Sequence, residues 1–206
     1  RIIWTADGLS MDQTADIVNE IGSKIYAVRI NQLYDLWGPA SVRRLKEKGA
    51  QIVWVDLKIH DIPKVAYLRA KALSESGADI ISAHGAGGRE MIIAAKAGLK
   101  KHQQLYVTIL LPCHEETLQM TRVQRDEIDA KALNYTILAR NIGVDGIVSS
   151  SKNLIALCDD VMNLRGLDLI VDDIFTMGKD FSHHKRVNPI SAAKKATFVV
   201  VGDEIS

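Results

Sequence analysis

Short apolar, β-branched runs alternate with amphipathic stretches along the chain, and the alternation predicts strands followed by helices. Arg1-Ile2-Ile3-Trp4-Thr5-Ala6-Asp7 reads as a strand ending on an acid. Ser10 is placed to cap a helix with apolar positions Ala15, Ile17, Val18 and Ile21, closed by Gly22. Ile25–Ile30 reads as a second strand, with Arg29 near its end, and Pro39 starts a helix that runs through Leu45 and stops at Gly49. Gln51-Ile52-Val53-Trp54 leads a third strand into Val55-Asp56, followed by a helix from about Pro63 to Ser76. Further strands are expected at Asp79–His84, Leu105–Leu110, Val144–Val148, Leu167–Val171 and Phe198–Val201. Helices are expected after the glycines 85–88, up to about Asn141, and from Leu154 to Leu164.

A glycine stops the helix just before three of these strands, in Lys48-Gly49-Ala50, Ser76-Gly77-Ala78 and Ile142-Gly143-Val144. That recurrence marks a repeated αβ turn. Eight strands alternating with helices favour an α/β (βα)8 barrel of the TIM type over an open sheet, with its reactive groups at the C-terminal strand ends. Asp7, Arg29, Asp56, Lys58 and His84 all fall there.

One stretch concentrates the chemistry. Val55-Asp56-Leu57-Lys58-Ile59-His60-Asp61-Ile62-Pro63 sets ionisable side chains directly behind a buried run. Strand side chains alternate with period two, so Asp56 and Lys58 share a face, and Asp61 follows in the turn before the helix. A buried, unpaired charge costs several kcal/mol, so these groups pair or face a polar cavity. A surface salt bridge at a strand end is the plain alternative, and a functional site is the better reading.

Composition changes little in this picture. At 206 residues, 47% hydrophobic and 25% charged, the chain has the size and mix of one globular domain. A net charge of +1 gives no electrostatic reason for a nucleic-acid or membrane partner, and no apolar run approaches a membrane span. No signal peptide is expected from the opening residues, although the chain begins at Arg1 without a Met and a few residues before it are expected. Cys113 and Cys158 lack metal-type spacing and fit reduced thiols in a cytoplasmic setting.

Asp-Leu-Lys-Ile-His-Asp-Ile-Pro at 56–63 resembles the signature of the orotidine 5′-phosphate decarboxylase family. The likeness continues through Ala6-Asp7, Leu33-Tyr34 to Gly38-Pro39, Leu45–Gly49, Gly77-Ala78-Asp79, and His84–Gly88. It extends to Asp145–Ser150, Arg186-Val187-Asn188-Pro189 and Val200-Val201-Gly202. Sugar-phosphate relatives, such as 3-keto-L-gulonate 6-phosphate decarboxylase and hexulose-phosphate synthase, share the DxKxxD pattern, but Ile62-Pro63 is similar to the orotidylate branch. The resemblance implies one barrel domain over 1–206 and a homodimer. It implies a decarboxylase acting on a pyrimidine nucleotide or related carboxylate, with no metal and no organic cofactor. Asp7, Arg29 (where a lysine is usual), Asp56, Lys58 and Asp61 from the partner subunit would form its charged network. Asp56 would press on the substrate carboxylate and Lys58 would protonate the carbon. Ile62, His84, Pro112, Gly202 and Asp203 occupy the corresponding substrate-side positions.

Departures cluster at the phosphate end of that pattern. Val201-Gly202-Asp203-Glu204 carries acids where the family has an arginine, and Asp172-Asp173-Ile174 stands where it has a Pro-Gly-Ile turn. Carboxylates there would repel a phosphate dianion. Lys179, Lys185 and Arg186 lie near and either compensate or form a solvated loop, the commoner fate of charged loop residues. His183 or His184 takes the place of a loop glutamine, and Leu111-Pro112-Cys113 replaces a Thr-Ser pair. Cys113 has no evident activating pair and reads as a plain thiol, and His60 and His84 read as hydrogen-bonding frame residues. Two functions remain open at this level: a lyase on a normal, modified or non-phosphorylated substrate, and a non-catalytic paralogue keeping the barrel as a binding or regulatory module. The chain stops about where the family adds another helix, which is either beyond the end or absent.

Overall fold

The computed structural model describes residues 1–110, 127–150, 164, 166–172 and 194–202. Eight parallel strands close into a barrel in sequence order: β1 (Ile2–Thr5), β2 (Ala27–Ile30), β3 (Val53–Ile59), β4 (Ile80–His84), β5 (Gln104–Leu110), β6 (Gly146–Ser150), β7 (Asp168–Asp172) and β8 (Phe198–Val201). Closure is made by β1 against β8, with Ile3 opposite Val200. Around them run α1 (Met11–Ile21), α2 (Gln32–Trp37), α3 (Pro39–Glu47), α4 (Pro63–Glu75), α5 (Gly88–Ala97) and α6 (Glu127–Ile142). The expected (βα)8 architecture is therefore present.

Local chemistry explains the element ends. Ser10 caps α1 in a full capping box with Gln13, and Gly22 closes it. Pro39 and Pro63 open α3 and α4, where a missing N–H costs nothing. The turn glycines Gly49 (φ 105) and Gly77 (φ 91) adopt a backbone that a side chain would strain. Strands β6 and β7 start later than the apolar runs suggest. At β6 the cause is that Val144 still bonds back to Ala139, while the Asp145 carboxylate accepts the Leu105 N–H at 2.9 Å. Helix α2 was not anticipated; it is a short helix between the Asn31 side chain, which caps it, and Gly38. The helix expected over Leu154–Leu164 lies outside the described residues except for Leu164.

Alternation along the strands divides the core in two. Trp4, Val28, Val53, Val55, Ile81 and Val107 face outward and pack under the helices. Ile3, Ala27, Trp54, Ile80, Tyr106, Val148, Ile170, Phe198 and Val200 fill the barrel itself. Gly146 belongs to this inner column because a Cβ there would lie 2.9 Å from the Tyr106 ring and 3.0 Å from Asp168. With the lower interior closed by apolar groups, the next inward positions toward the C-terminal strand ends are polar: Thr5, Arg29, Asp56, Ser82 and Asp172.

Candidate active site

Strand β3 is irregular where its charges lie. Between Val55 and Ile59 it takes four steps while β4 takes two, from Ile81 to Ala83. The extra length is a bulge that carries Asp56, Leu57 and Lys58 toward the barrel mouth. Lys58 sits at φ 45, an uncommon left-handed position for a side-chain-bearing residue. Its N–H donates to Ser82 Oγ at 2.9 Å. The same hydroxyl donates to Asp56 Oδ1 at 2.6 Å. A single serine thus ties the strained backbone of Lys58 to the carboxylate of Asp56.

Asp56 is 3% exposed, and its other oxygen, Oδ2, accepts from Lys58 Nζ at 2.8 Å. The Lys58 side chain retains 27% exposure, so its ammonium stands between a buried anion and the open mouth. That bond uses one of three ammonium hydrogens.

Arg29, 5% exposed, forms the opposite wall. Its Nε donates to Thr5 Oγ1 at 3.0 Å, and that hydroxyl donates onward to Asp7 Oδ2 at 3.0 Å. Nη1 donates to Asp172 Oδ2 at 2.5 Å and lies 3.5 Å from Asp56 Oδ2; Nη2 reaches Asp7 Oδ2 at 3.5 Å. The guanidinium also lies over the Trp54 ring, 5.4 Å from its centroid. Burial works against the charged guanidinium, but the carboxylates of Asp172, Asp56 and Asp7 outweigh it and push the Arg29 pKa up.

Asp7, Arg29, Asp56 and Lys58 therefore meet in one network, whereas Asp61 does not join it within this chain. Asp61 is exposed, its Oδ1 accepting from the Ile62 N–H at 2.8 Å, and Ile62 beside it is 64% exposed. His84 ends β4, where its Nδ1 accepts the Ala86 N–H at 3.1 Å and caps the turn Gly85–Gly87. Its ring stacks on that of His60, centroids 5.3 Å apart. Burial first, then His60 and Lys58, lower the His84 pKa from 6.5. Gly202 follows β8 with its Cα against Thr5, whose Cγ2 would lie 3.1 Å from an added Cβ. Pro112, Asp203, Cys113, Cys158, Asp173, Lys179, His183, His184, Lys185 and Arg186 lie outside the described residues.

Three participants were missed or misread from sequence. Thr5 and Ser82 looked like ordinary strand residues, and only the period-two alternation with Ile3 and Ile80 marks them as inward-facing. Asp172 was read as uncompensated charge in a turn; it is instead the last residue of β7, pointing inward like Ile170 and bonded to Arg29.

The arrangement supplies a buried carboxylate fixed by hydrogen bonds, an accessible ammonium beside it, and a second cation locked behind both. It suits a reaction that needs a fixed negative charge and a proton donor at neighbouring points. Among the described residues no His, Cys, Asp and Glu grouping is arranged to hold a metal ion, and no helix is long and apolar enough to cross a membrane.

Comparison with known proteins places this geometry in context. The family described as Orotidine 5'-phosphate decarboxylase / HUMPS family matches residues 1–206. An orotidine 5'-phosphate decarboxylase from Fusobacterium nucleatum is 29% identical over 215 residues, covering 100% of this chain and 89% of that protein. One from Staphylococcus saprophyticus is 32% identical over 205 residues, covering 96% and 86%. The crystal structure of orotidine 5'-phosphate decarboxylase from Lactobacillus acidophilus shares the fold with a TM-score of 0.78 at 22% identity, over 98% of this chain and 89% of that one.

Proposed function

The chain belongs to the orotidine 5′-phosphate decarboxylase / HUMPS family, and on that premise we propose that it is a carbon–carbon lyase converting orotidine 5′-monophosphate to UMP in pyrimidine nucleotide synthesis. The observation that supports this most is the Asp56–Lys58 pair, with the anion buried and the ammonium facing the mouth.

In this reading the substrate carboxylate enters beside Asp56. Two like charges in a low-dielectric site repel, and loss of carbon dioxide relieves that repulsion. The electron pair left on carbon takes a proton from the Lys58 ammonium, and the resulting amine regains one from solvent. Both groups are oriented beforehand by Ser82 and by the bulge, so little reorganisation accompanies the charge shift. No metal or organic cofactor enters these steps.

The oligomer is a homodimer in which Asp61 completes the neighbour's site. Asp61 is free to do so because it is exposed beside the exposed Ile62. Sedimentation checks this: a dimer at micromolar concentration is expected, and a stable monomer with full activity would overturn it.

A second reading concerns substrate rather than reaction. Val201-Gly202-Asp203-Glu204 puts acids where a phosphate-binding cation is expected, which favours a modified or non-phosphorylated carboxylate. Steady-state decarboxylation of orotidine 5′-monophosphate and of orotidine separates the two. Higher kcat/KM for the nucleotide, unimproved by Asp203→Arg, supports the nucleotide; a gain of tenfold or more with Asp203→Arg supports the altered substrate. A folded protein that decarboxylates neither removes the lyase reading.

A further inference from the structure

Arg29 is more fully engaged than a substrate ligand would be. A guanidinium has five N–H donors. Nε is taken by Thr5, Nη1 by Asp172 with Asp56 nearby, and Nη2 points to Asp7. The Asp172 bond, at 2.5 Å, is the shortest of these, and Asp56 is a full ångström farther from the same nitrogen at 3.5 Å. The guanidinium is therefore drawn toward β7, leaving the nearer place on Asp56 Oδ2 to Lys58 at 2.8 Å.

The barrel register makes this possible. Asp172 pairs with Ser150 across β6 and β7 and shares the inward face with Ile170. Arg29 pairs with Thr5 on one side and Trp54 on the other. Positive charge from Arg29 and Lys58 is set against Asp7, Asp56 and Asp172, so Asp172 adds a carboxylate for which a planar, forked cation is the matched partner. A lysine at position 29 would present a point charge unable to bridge the separate carboxylates of β1, β3 and β7.

We infer that Asp172 is a positioning residue in this chain: its carboxylate fixes the Arg29 guanidinium across the barrel mouth, so that Lys58 rather than Arg29 meets the substrate. Arginine at 29 and aspartate at 172 form one unit, and each is unfavourable without the other. Without Asp172, the guanidinium moves onto Asp56 Oδ2 and competes with Lys58 for it. With lysine at 29, the charge is kept but the fork that spans Asp172, Asp56 and Asp7 is lost.

The kinetic half of the test rests on the decarboxylase reading; the spectroscopic half does not. Arg29→Lys, Asp172→Asn and the double variant are compared in a cycle using orotidine 5′-monophosphate. Each single change lowers kcat about tenfold with KM altered less than about threefold, and the double variant is no worse than either single one, as for contacting groups. Asp172→Glu, which keeps the charge, retains most of the activity. Independently, 15N NMR of arginine-labelled, substrate-free protein reads the Arg29 guanidinium, assigned by its loss in Arg29→Lys. Its Nη signals are resolved in the wild type and move to new positions in Asp172→Asn, as the guanidinium passes from Asp172 to Asp56. Losses that multiply to about a hundredfold in the double variant, or Nη signals unchanged by Asp172→Asn, overturn the pairing. If no protein turns over the nucleotide but the signals move as described, the pairing stands and the decarboxylase reading falls.

Discussion

Ser82→Ala isolates the tie between the Lys58 backbone and the Asp56 carboxylate. The hydroxyl is fully buried, donating at 2.6 Å to a buried carboxylate and accepting at 2.9 Å from the N–H of a residue at positive φ. Loss of a hydrogen bond to a charged group costs about 1.5–3 kcal/mol, and leaving the part-buried Lys58 N–H without this acceptor adds up to about 1 kcal/mol. The two share one oxygen and do not add fully, so a loss of about 3 kcal/mol is expected. For a chain of this length that lowers Tm by about 6–12 °C. Thermal unfolding by circular dichroism, paired with urea titration, measures it. The bulge also loses its anchor, so kcat falls about tenfold while KM changes little, as befits a group acting through Asp56 and Lys58. A Tm within about 2 °C of the wild type, with kcat unchanged, would refute the role given to Ser82.

Arg29→Met removes the buried cation shared by Asp172, Asp7 and Asp56, leaving Asp56 with Lys58 alone, and urea unfolding should register a loss of up to about 3–5 kcal/mol, the usual penalty for removing one partner of a buried ion pair. His84 has its pKa lowered in the folded state, so the neutral ring is favoured there. Stability from it is present above about pH 6.5 and declines as the pH falls through that value toward the folded pKa. Tm measured from pH 7.5 to 5 should therefore fall less steeply in His84→Gln; parallel curves would refute it.

Much of the fold was legible because each βα unit carries its own signals. Alternating apolar runs, Ser10, Pro39, Pro63 and the helix-stop glycines each mark a boundary locally, and the strand count then implies closure. Helix α2 was hidden because six residues give too little periodicity to read. The site was legible where charges interrupt a buried run, as in Asp56 and Lys58. It was not legible where a role depends on neighbours remote in sequence. Asp172 meets Arg29 across 143 positions, and only closure of the barrel aligns them. Ser82 acquires its part from a bulge on the adjacent strand, and no local pattern announces a bulge whose residues, Asp56 to Lys58, still alternate like a regular strand.

The central claim is that Lys58 delivers the proton that completes decarboxylation. Turnover of orotidine 5′-monophosphate in deuterated water, followed by proton NMR, tests it with wild type and Lys58→Ala compared at equal folded concentration. The wild type should yield UMP carrying deuterium at the carbon that lost the carboxylate. Lys58→Ala should keep the fold, because this side chain is partly exposed and Arg29 remains beside Asp56, yet form product at least about a thousandfold more slowly, as expected for loss of a general acid. Product formed by Lys58→Ala at a rate near that of the wild type would contradict the claim.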